Sequence, residues 1–524
     1  MFLGLRIVPA IIATLMPITL LAQERSNFDQ RFHAIMSRPE YKHARFGVEF
    51  YSIEEGKVIY AWNPQELFVP GSTTKILTVG TALQLLGSDF RFHTRIYRTG
   101  VIHKGTLTGD LVLVASGDPD LSNRIQPDGS MTFENEDHSY DGFAAAKAVG
   151  GDPLAVIKEL AAKVRSAGIE QVKGHVLIDV SLFPEGEREL GTSVVISPVV
   201  VNDNLVDVTV TPGARPGEAA VLSIAPQTRY VTISNKVKTA AAGSKLDVEW
   251  GEDTSAADGS HNVILSGTIA ADAKPKLRVY KVPEPSRFAA TVLTEALEAA
   301  GVRLDAVGKG QIPAPEAYKA ENIVAEHISP PLAEEAKVTL KVSQNLHASM
   351  LPFIVGAYGN KGAANAWQTG FDLERSLLEK ADLDITGAVQ NDGAGGEALF
   401  TPDFMVHFLL HLNKQPFGAA FKQDLPVLGR DGTLVDIQET SLAAGHVFAK
   451  TGTYGSGNAL TRGGVIDGKG LAGFVDAQDG RHLAFAAYIN FVPLNDMDEK
   501  SVKMVGEAVG EIAAAAYDGF RGGH

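Results

Sequence analysis

The sequence predicts an α/β protein in which one mixed domain is split by a long, mainly β-containing insertion. Three observations carry this reading. A hairpin-then-helix pattern occupies residues 46–86, and strand-like runs separated by Gly-, Ala- and Asp-rich turns fill about 92–326. From about 333 onward, helical and strand-like stretches alternate again. The division expected is 28–91 with 327–524 as one discontinuous domain, and 92–326 as the inserted region.

Taken in order, residues 46–53 and 58–62 read as two strands joined by the charged turn 54–57. Pro70-Gly71 breaks the chain, and residues 72–86 follow as a helix with Ile76, Leu77, Val79, Ala82, Leu83 and Leu86 at apolar positions. Within the insertion, 101–114 is strand-like around Gly105 and Gly109, 117–151 is a Gly- and Asp-rich loop, and 153–167 is helical. Strands are expected at 176–180, 204–210, 230–233, 263–265 and 277–280, then a helix at 288–300. Residues 333–356 and 402–412 read as helices. Residues 447–450, 471–475 and 483–490 read as strands, and the Ala-rich 498–516 closes the chain as a helix.

Bulk properties narrow the function. The 524 residues carry a formal charge of -15, which argues against a broad nucleic-acid-binding face, because phosphate binding needs concentrated Lys and Arg. There is no cysteine, so disulfides, thiol catalysis and cysteine-ligated metals are excluded. Residues 1–22 resemble an export signal: Arg6 supplies the positive flank, 8–21 is largely apolar, and cleavage is expected after Ala22. An uncleaved membrane anchor is the competing reading, though the apolar stretch is short for a spanning helix. An exported, periplasmic protein is the expectation.

Three short elements can carry chemistry: Ser72-Thr73-Thr74-Lys75, Ser343-Gln344-Asn345 and Lys450-Thr451-Gly452-Thr453. At a helix start, Ser72 and Lys75 are three apart and share one face. A serine hydroxyl is a poor nucleophile unless a neighbour takes its proton, which Lys75 can do if burial or a second cation favours its neutral form. Lys450 is the natural second cation. Ser343 can relay a proton to a leaving amine, and Asn345 can orient Lys75 and a substrate amide. Lys450 would hold a substrate carboxylate, assisted by the Thr451 and Thr453 hydroxyls, with Gly452 leaving room for substrate. The backbone N–H groups of Ser72 and Thr453 are the oxyanion-hole candidates.

Each element has a plainer explanation. Ser-x-x-Lys also describes a helix cap beside a solvated lysine, Ser343-Gln-Asn a helix cap, and Lys450-Thr-Gly-Thr a strand-end turn. Ser456-Gly457-Asn458 matches Ser-x-Asn as well, but reads as part of a Gly-rich turn. The occurrence of the three together, in one order, favours catalysis. No metal or cofactor is expected: His347 and His411 stand alone in helical stretches and read as structural or exposed. Gly117-Asp118-Pro119-Asp120 reads as a tight turn in preference to a cation loop. Residues 391–396 lack the lysine of a phosphate loop and read either as a surface turn or as an active-site rim.

With these elements in place, the chain resembles the D-alanyl-D-alanine carboxypeptidase/endopeptidase family, peptidase family S13, also described as class C low-molecular-mass penicillin-binding proteins. The resemblance covers roughly 40–495 and extends to residues 109–121, 172–183, 329–332 and 425–434, and to the strand pair around Gly480-Arg481. It implies a serine β-lactamase/transpeptidase-like catalytic domain, an antiparallel sheet flanked by helices, interrupted by a multi-domain insertion. Ser72 and Ser343 are 271 positions apart and Ser343 and Lys450 are 107 apart, so the extra region falls between the first two catalytic elements. Two smaller domains are expected there.

The resemblance further implies that Ser72 is acylated by the penultimate D-alanine carbonyl and that water hydrolyses the acyl-enzyme. Peptidoglycan stem peptides are the implied partners, with β-lactams as covalent inhibitors and peripheral membrane association open. Some family members also cleave D-alanyl crosslinks. Gly71 stands where alanine is frequent, Gln344 where aspartate is, and Ala394, Gly396 and Glu397 replace the usual residues of a loop near the site. A β-lactamase or esterase using the same trio, and a non-catalytic wall-binding protein, are the alternatives.

Overall fold

The computed structural model describes residues 28–305 and 310–519; the expected export signal lies outside them. One five-stranded antiparallel sheet organises the catalytic half, in the order Val447–Asn458, Gly463–Asp476, His482–Leu494, Arg45–Ser52, Lys57–Trp62. The central strand His482–Leu494 shows why it sits inside. Alternate side chains leave opposite faces of a strand, and both sets here are apolar and buried. Ala484, Ala486 and Tyr488 join a core with the helices Thr74–Leu86, Leu332–Lys341, Asn345–Gly359 and Pro402–Asn413. Leu483, Phe485, Ala487 and Ile489 join a second core with Val505, Val509 and Ile512 of the helix Glu499–Gly519. The sheet is therefore sandwiched between two helical layers, the fold expected of the sequence.

The region between the hairpin and Leu332 is β-rich. Strands Ile323–Ile328, His93–Arg98, Leu111–Val114 and Val176–Asp179 make one four-stranded sheet. Val231–Ala240 runs parallel to His261–Ala270, which pairs antiparallel with Asp247–Ser255. Leu205–Thr211 lies between Val221–Ala225 and Lys276–Lys281. Asp247–Ser255 gives little signal in sequence because most of its side chains are exposed, so no apolar alternation marks it. Phe183, Val194 and Ile196 pack into the core that holds the Thr74–Leu86 helix, so this region is fastened to the catalytic half.

Two local expectations are corrected. Residues 333–356 are not one helix but two, Leu332–Lys341 and Asn345–Gly359, broken at Ser343, whose φ is +62°. Ser456 lies in the strand Val447–Asn458 and not in a turn; a register shift between Tyr454 and Gly455 carries the glycine-rich segment on as an exposed arm.

Phe485 is fully buried and stacks on Phe50 at 5.3 Å between ring centroids. Phe485→Ala leaves a cavity at the middle of the sheet, and a loss of about 3–5 kcal/mol is expected in urea unfolding. A loss under about 1 kcal/mol would show that this layer does not hold the catalytic half together.

Candidate active site

Ser72 sits in a single 3-10 turn, Gly71–Thr73, that leads into the helix Thr74–Leu86. The Pro70 carbonyl closes the turn by accepting from the Thr73 backbone N–H at 3.3 Å and the Thr73 hydroxyl at 3.0 Å. Gly71 has φ +52°, and a Cβ there would meet the Thr453 nitrogen at 2.6 Å. Glycine in place of alanine at 71 thus suits this backbone. A Cβ on Gly452 would lie 2.0 Å from the Pro70 carbonyl oxygen. The space that Gly452 leaves is filled by the Pro70–Thr73 turn, not kept for substrate, and it brings the edge strand against the turn that carries Ser72.

Lys75 is completely buried. Its Nζ lies 2.6 Å from Ser72 Oγ, 2.6 Å from Asn345 Oδ1, 3.3 Å from the Ala394 carbonyl oxygen and 3.4 Å from Ser343 Oγ. Burial pushes its pKa down to about 7, against the pull of Glu189 and Asp392 toward the charged form. A neutral amine in this position can accept the Ser72 proton, and the ammonium then formed has the Asn345 and Ala394 oxygens as acceptors. The 391–396 loop is therefore part of the site. Asp392 Oδ1 accepts from the Ala394 N–H at 2.6 Å and from the Gly395 N–H, and it is the Ala394 main chain that reaches Lys75. The hydroxyl that this loop lacks is not needed for that contact.

Ser343 and Asn345 are held from the inserted region. The Tyr140 hydroxyl lies 2.6 Å from the Ser343 carbonyl oxygen and 3.1 Å from Asn345 Oδ1. Gln344 accepts from the Leu346 N–H to cap the following helix and donates to Asp137 at 3.2 Å. An aspartate would have no N–H for the second bond. Behind Gln344 lies a buried ion network: Arg124 donates to Asp203 at 2.7 Å, and Asp203 accepts from His138 at 2.6 Å and His347 at 2.8 Å. His347 also pairs with Glu335 at 2.9 Å. Burial disfavours its charge, but Glu335, Asp120 and Asp203 outweigh that and hold its pKa well above the ordinary value. His347 is thus structural, as one of the two sequence readings has it.

Lys450 is fully buried and donates to the Thr451 carbonyl at 2.9 Å. Burial first, then Lys75 and Lys469, holds its pKa well below the usual lysine value. It lies near Lys75, which helps to disfavour its charge, and it does not line the cleft. That cleft, about 490 Å³, is lined by Ser72, Tyr140, Ser343, Asn345, Thr451 and Thr453, and also by Lys469. Lys469 faces Thr453 across the strand pair.

The sequence model of the D-Ala-D-Ala carboxypeptidase 3 (S13) family matches residues 29–511. The chain belongs to that family. A D-alanyl-D-alanine carboxypeptidase of Actinomadura sp. (strain R39) is 28% identical over 481 residues, 85% of this chain and 82% of that protein. The D-alanyl-D-alanine carboxypeptidase DacB of Haemophilus influenzae is 24% identical over 471 residues, 86% of each. The crystal structure of penicillin binding protein 4 from Haemophilus influenzae superposes with a TM-score of 0.68 at 21% identity, covering 93% of this chain and 97% of that one. The family and the serine-carboxypeptidase class expected of the sequence agree with these findings.

In this S13 member, sequence reasoning missed Tyr140, Glu189, Lys469 and the Ala394 carbonyl. A main-chain acceptor has no residue signature, and the others come from segments far from the motifs. Among the described residues, Asp120, Glu335 and His347, and Asp137, His138 and Asp203, bring acidic and histidine ligand atoms within 4.8 Å of one another. None of these six lines the cleft. Asp118 Oδ1 accepts from the Asp120 N–H at 3.0 Å, the turn expected there.

The free-base fraction of Lys75 grows as pH rises through about 7, so the rate of Ser72 acylation is expected to climb over that range. Glu189 favours the ammonium, so Glu189→Gln moves the midpoint of that climb to lower pH; an upward move in the pH–rate profile would contradict this assignment. Tyr140→Phe removes one hydrogen bond from the Ser343 loop and is expected to slow acylation about fivefold in stopped-flow measurements.

Proposed function

We propose that this S13 enzyme removes the terminal D-alanine of peptidoglycan stem peptides through an acyl-enzyme on Ser72. The observation that carries the reading is the fully buried Lys75 amine, 2.6 Å from Ser72 Oγ, with a pKa near 7. Lys75 takes the Ser72 proton as Oγ attacks the penultimate D-alanine carbonyl. The Ser72 and Thr453 backbone N–H groups stabilise the oxyanion at the start of the helix. Ser343 passes a proton from Lys75 to the departing D-alanine nitrogen, and Asn345 keeps the amine aligned. Water then attacks the ester, with Lys75 again as base, and frees Ser72.

Thr451 and Thr453 bind the substrate through their hydroxyls. A β-lactam presents a strained amide to the same serine, and the Haemophilus influenzae penicillin binding protein 4 has been solved in complex with one. The cleft is lined as well by Glu136, Phe143, Glu499 and Lys503. That added wall beyond the motif residues supports a crosslinked stem peptide as a second substrate. Its place of work is the periplasm, reached through the 1–22 segment. Among the described residues no helix is long and apolar enough to cross a membrane.

Mature enzyme incubated with pentapeptide muropeptides is expected to release one D-alanine, seen by mass spectrometry, and to cleave crosslinked dimers more slowly. Ser72→Ala abolishes both, and a penicillin adduct forms on the wild type but not on the variant. Ser72-independent release with folded protein would sink the assignment.

A further inference from the structure

We propose that Lys469 binds the C-terminal carboxylate of the substrate and is a specificity-determining residue of the Ser72 site. The inference rests on the carboxypeptidase reading and adds to it the cation that selects a free peptide end.

The strand register comes first. Lys469 pairs with Thr453, so the two side chains leave the same face of the sheet. Thr451 is two residues from Thr453 and shares that face, whereas Lys450 and Gly452 point the other way. Gly452 meets the Pro70–Thr73 turn on that opposite side. The two lysines are therefore not equivalent. Lys450 Nζ is turned to the Thr451 carbonyl, outside the cleft wall, while Lys469 lines the cleft together with Ser72, Thr451 and Thr453.

The Lys469 ammonium is positioned yet lacks a counter-ion. Its Nζ donates to Thr453 Oγ1 at 2.7 Å, and the residue is only 8% exposed. It makes no ion pair within 4.0 Å among the described residues; burial pushes its pKa down to about 8, while Asp436 and Glu136 favour its charge from farther off. Its other two N–H groups have no protein acceptor among the described residues. The C-terminal helix passes it at Gly506, where a Cβ would meet Lys469 Cε at 3.3 Å and Nζ at 3.5 Å, so a glycine leaves space for the lysine head. A buried cation with spare donors, beside two threonine hydroxyls, is complementary to a carboxylate. The ligand class is a peptide ending in a free α-carboxylate next to the scissile bond.

The test compares one N-acylated peptide ending in D-Ala-D-Ala as the free acid and as the C-terminal amide, with wild type, Lys469→Ala and Lys469→Arg. Thermal denaturation checks that each is folded. The readout is the ratio of kcat/KM for acid over amide. Wild type favours the acid, Lys469→Ala is expected to lose about 10- to 100-fold of that preference, and Lys469→Arg to restore most of it. An active wild type whose preference survives in Lys469→Ala overturns the role of Lys469 alone. This includes the case in which both substrates slow equally, as they would if Lys469 only braced Thr453. A wild type that releases neither D-alanine from the acid nor D-alaninamide from the amide overturns the carboxypeptidase reading and this role together.

Discussion

Burying an amine without a paired carboxylate is the constraint around which this site is arranged. Lys75 is completely enclosed, and in a low-dielectric interior an ammonium is costly, so its proton is held loosely enough to be given up near neutral pH. An enclosed lysine still needs acceptors for its N–H groups. That requirement draws together segments far apart in the chain: Ser343 and Asn345 from the start of one helix, and the Ala394 carbonyl from a glycine-rich loop. Glu189 and Asp392 stay near enough to moderate the shift. Ser72, Ser343 and Asn345 converge because each meets a need of one nitrogen atom.

The alternation of the edge strand then distributes the remaining work. Gly452 lets Val447–Asn458 close on the turn that carries Ser72, and any side chain there would collide with the Pro70 carbonyl. Lys450 leaves the strand on the same side and is buried near Lys75, where burial and that neighbouring amine disfavour its charge. Thr451 and Thr453 leave on the other side and face the cleft with Lys469. One strand thus sends Lys450 and Gly452 into the packed interior and Thr451 and Thr453 to the cleft.

How much of this could be read from the residues follows from the range of each interaction. Ser72 and Lys75 are neighbours on one helical turn, so local periodicity reveals them; the strands 471–475 and 483–490 announce themselves because both faces are apolar. Lys469 has no local mark, since its meaning comes from pairing with Thr453 sixteen residues earlier. Tyr140 ends the short 3-10 turn His138–Tyr140 in a long irregular segment, and only the packed fold brings its hydroxyl to Ser343. The helix break at 342–344 is hidden because Val342 and Leu346 keep a helical apolar pattern while Ser343 turns left-handed. The altered 394–397 loop looks damaging in sequence, yet its contact to Lys75 is made by the main chain, which substitution leaves in place.

The left-handed Ser343 also explains why the inserted region belongs to the site. A non-glycine residue at φ +62° costs about 1–2 kcal/mol and persists only where its surroundings fix it. Tyr140 holds the Ser343 carbonyl, and Asp137 holds Gln344. Those anchors rest in turn on Arg124 and Asp203. Asp203 itself sits in the run Asn202-Asp203-Asn204, with φ values of +49°, +54° and +54°, formed by the residue types that best tolerate that conformation. There it accepts from Arg124, His138 and His347. Removing one member of such a network strands a buried charge, so the network resists partial opening and transmits its rigidity to the loop beside Lys75. Tyr140 and Asp137 therefore brace the Ser343 loop from one side, and the helix Asn345–Gly359 continues the chain from it on the other.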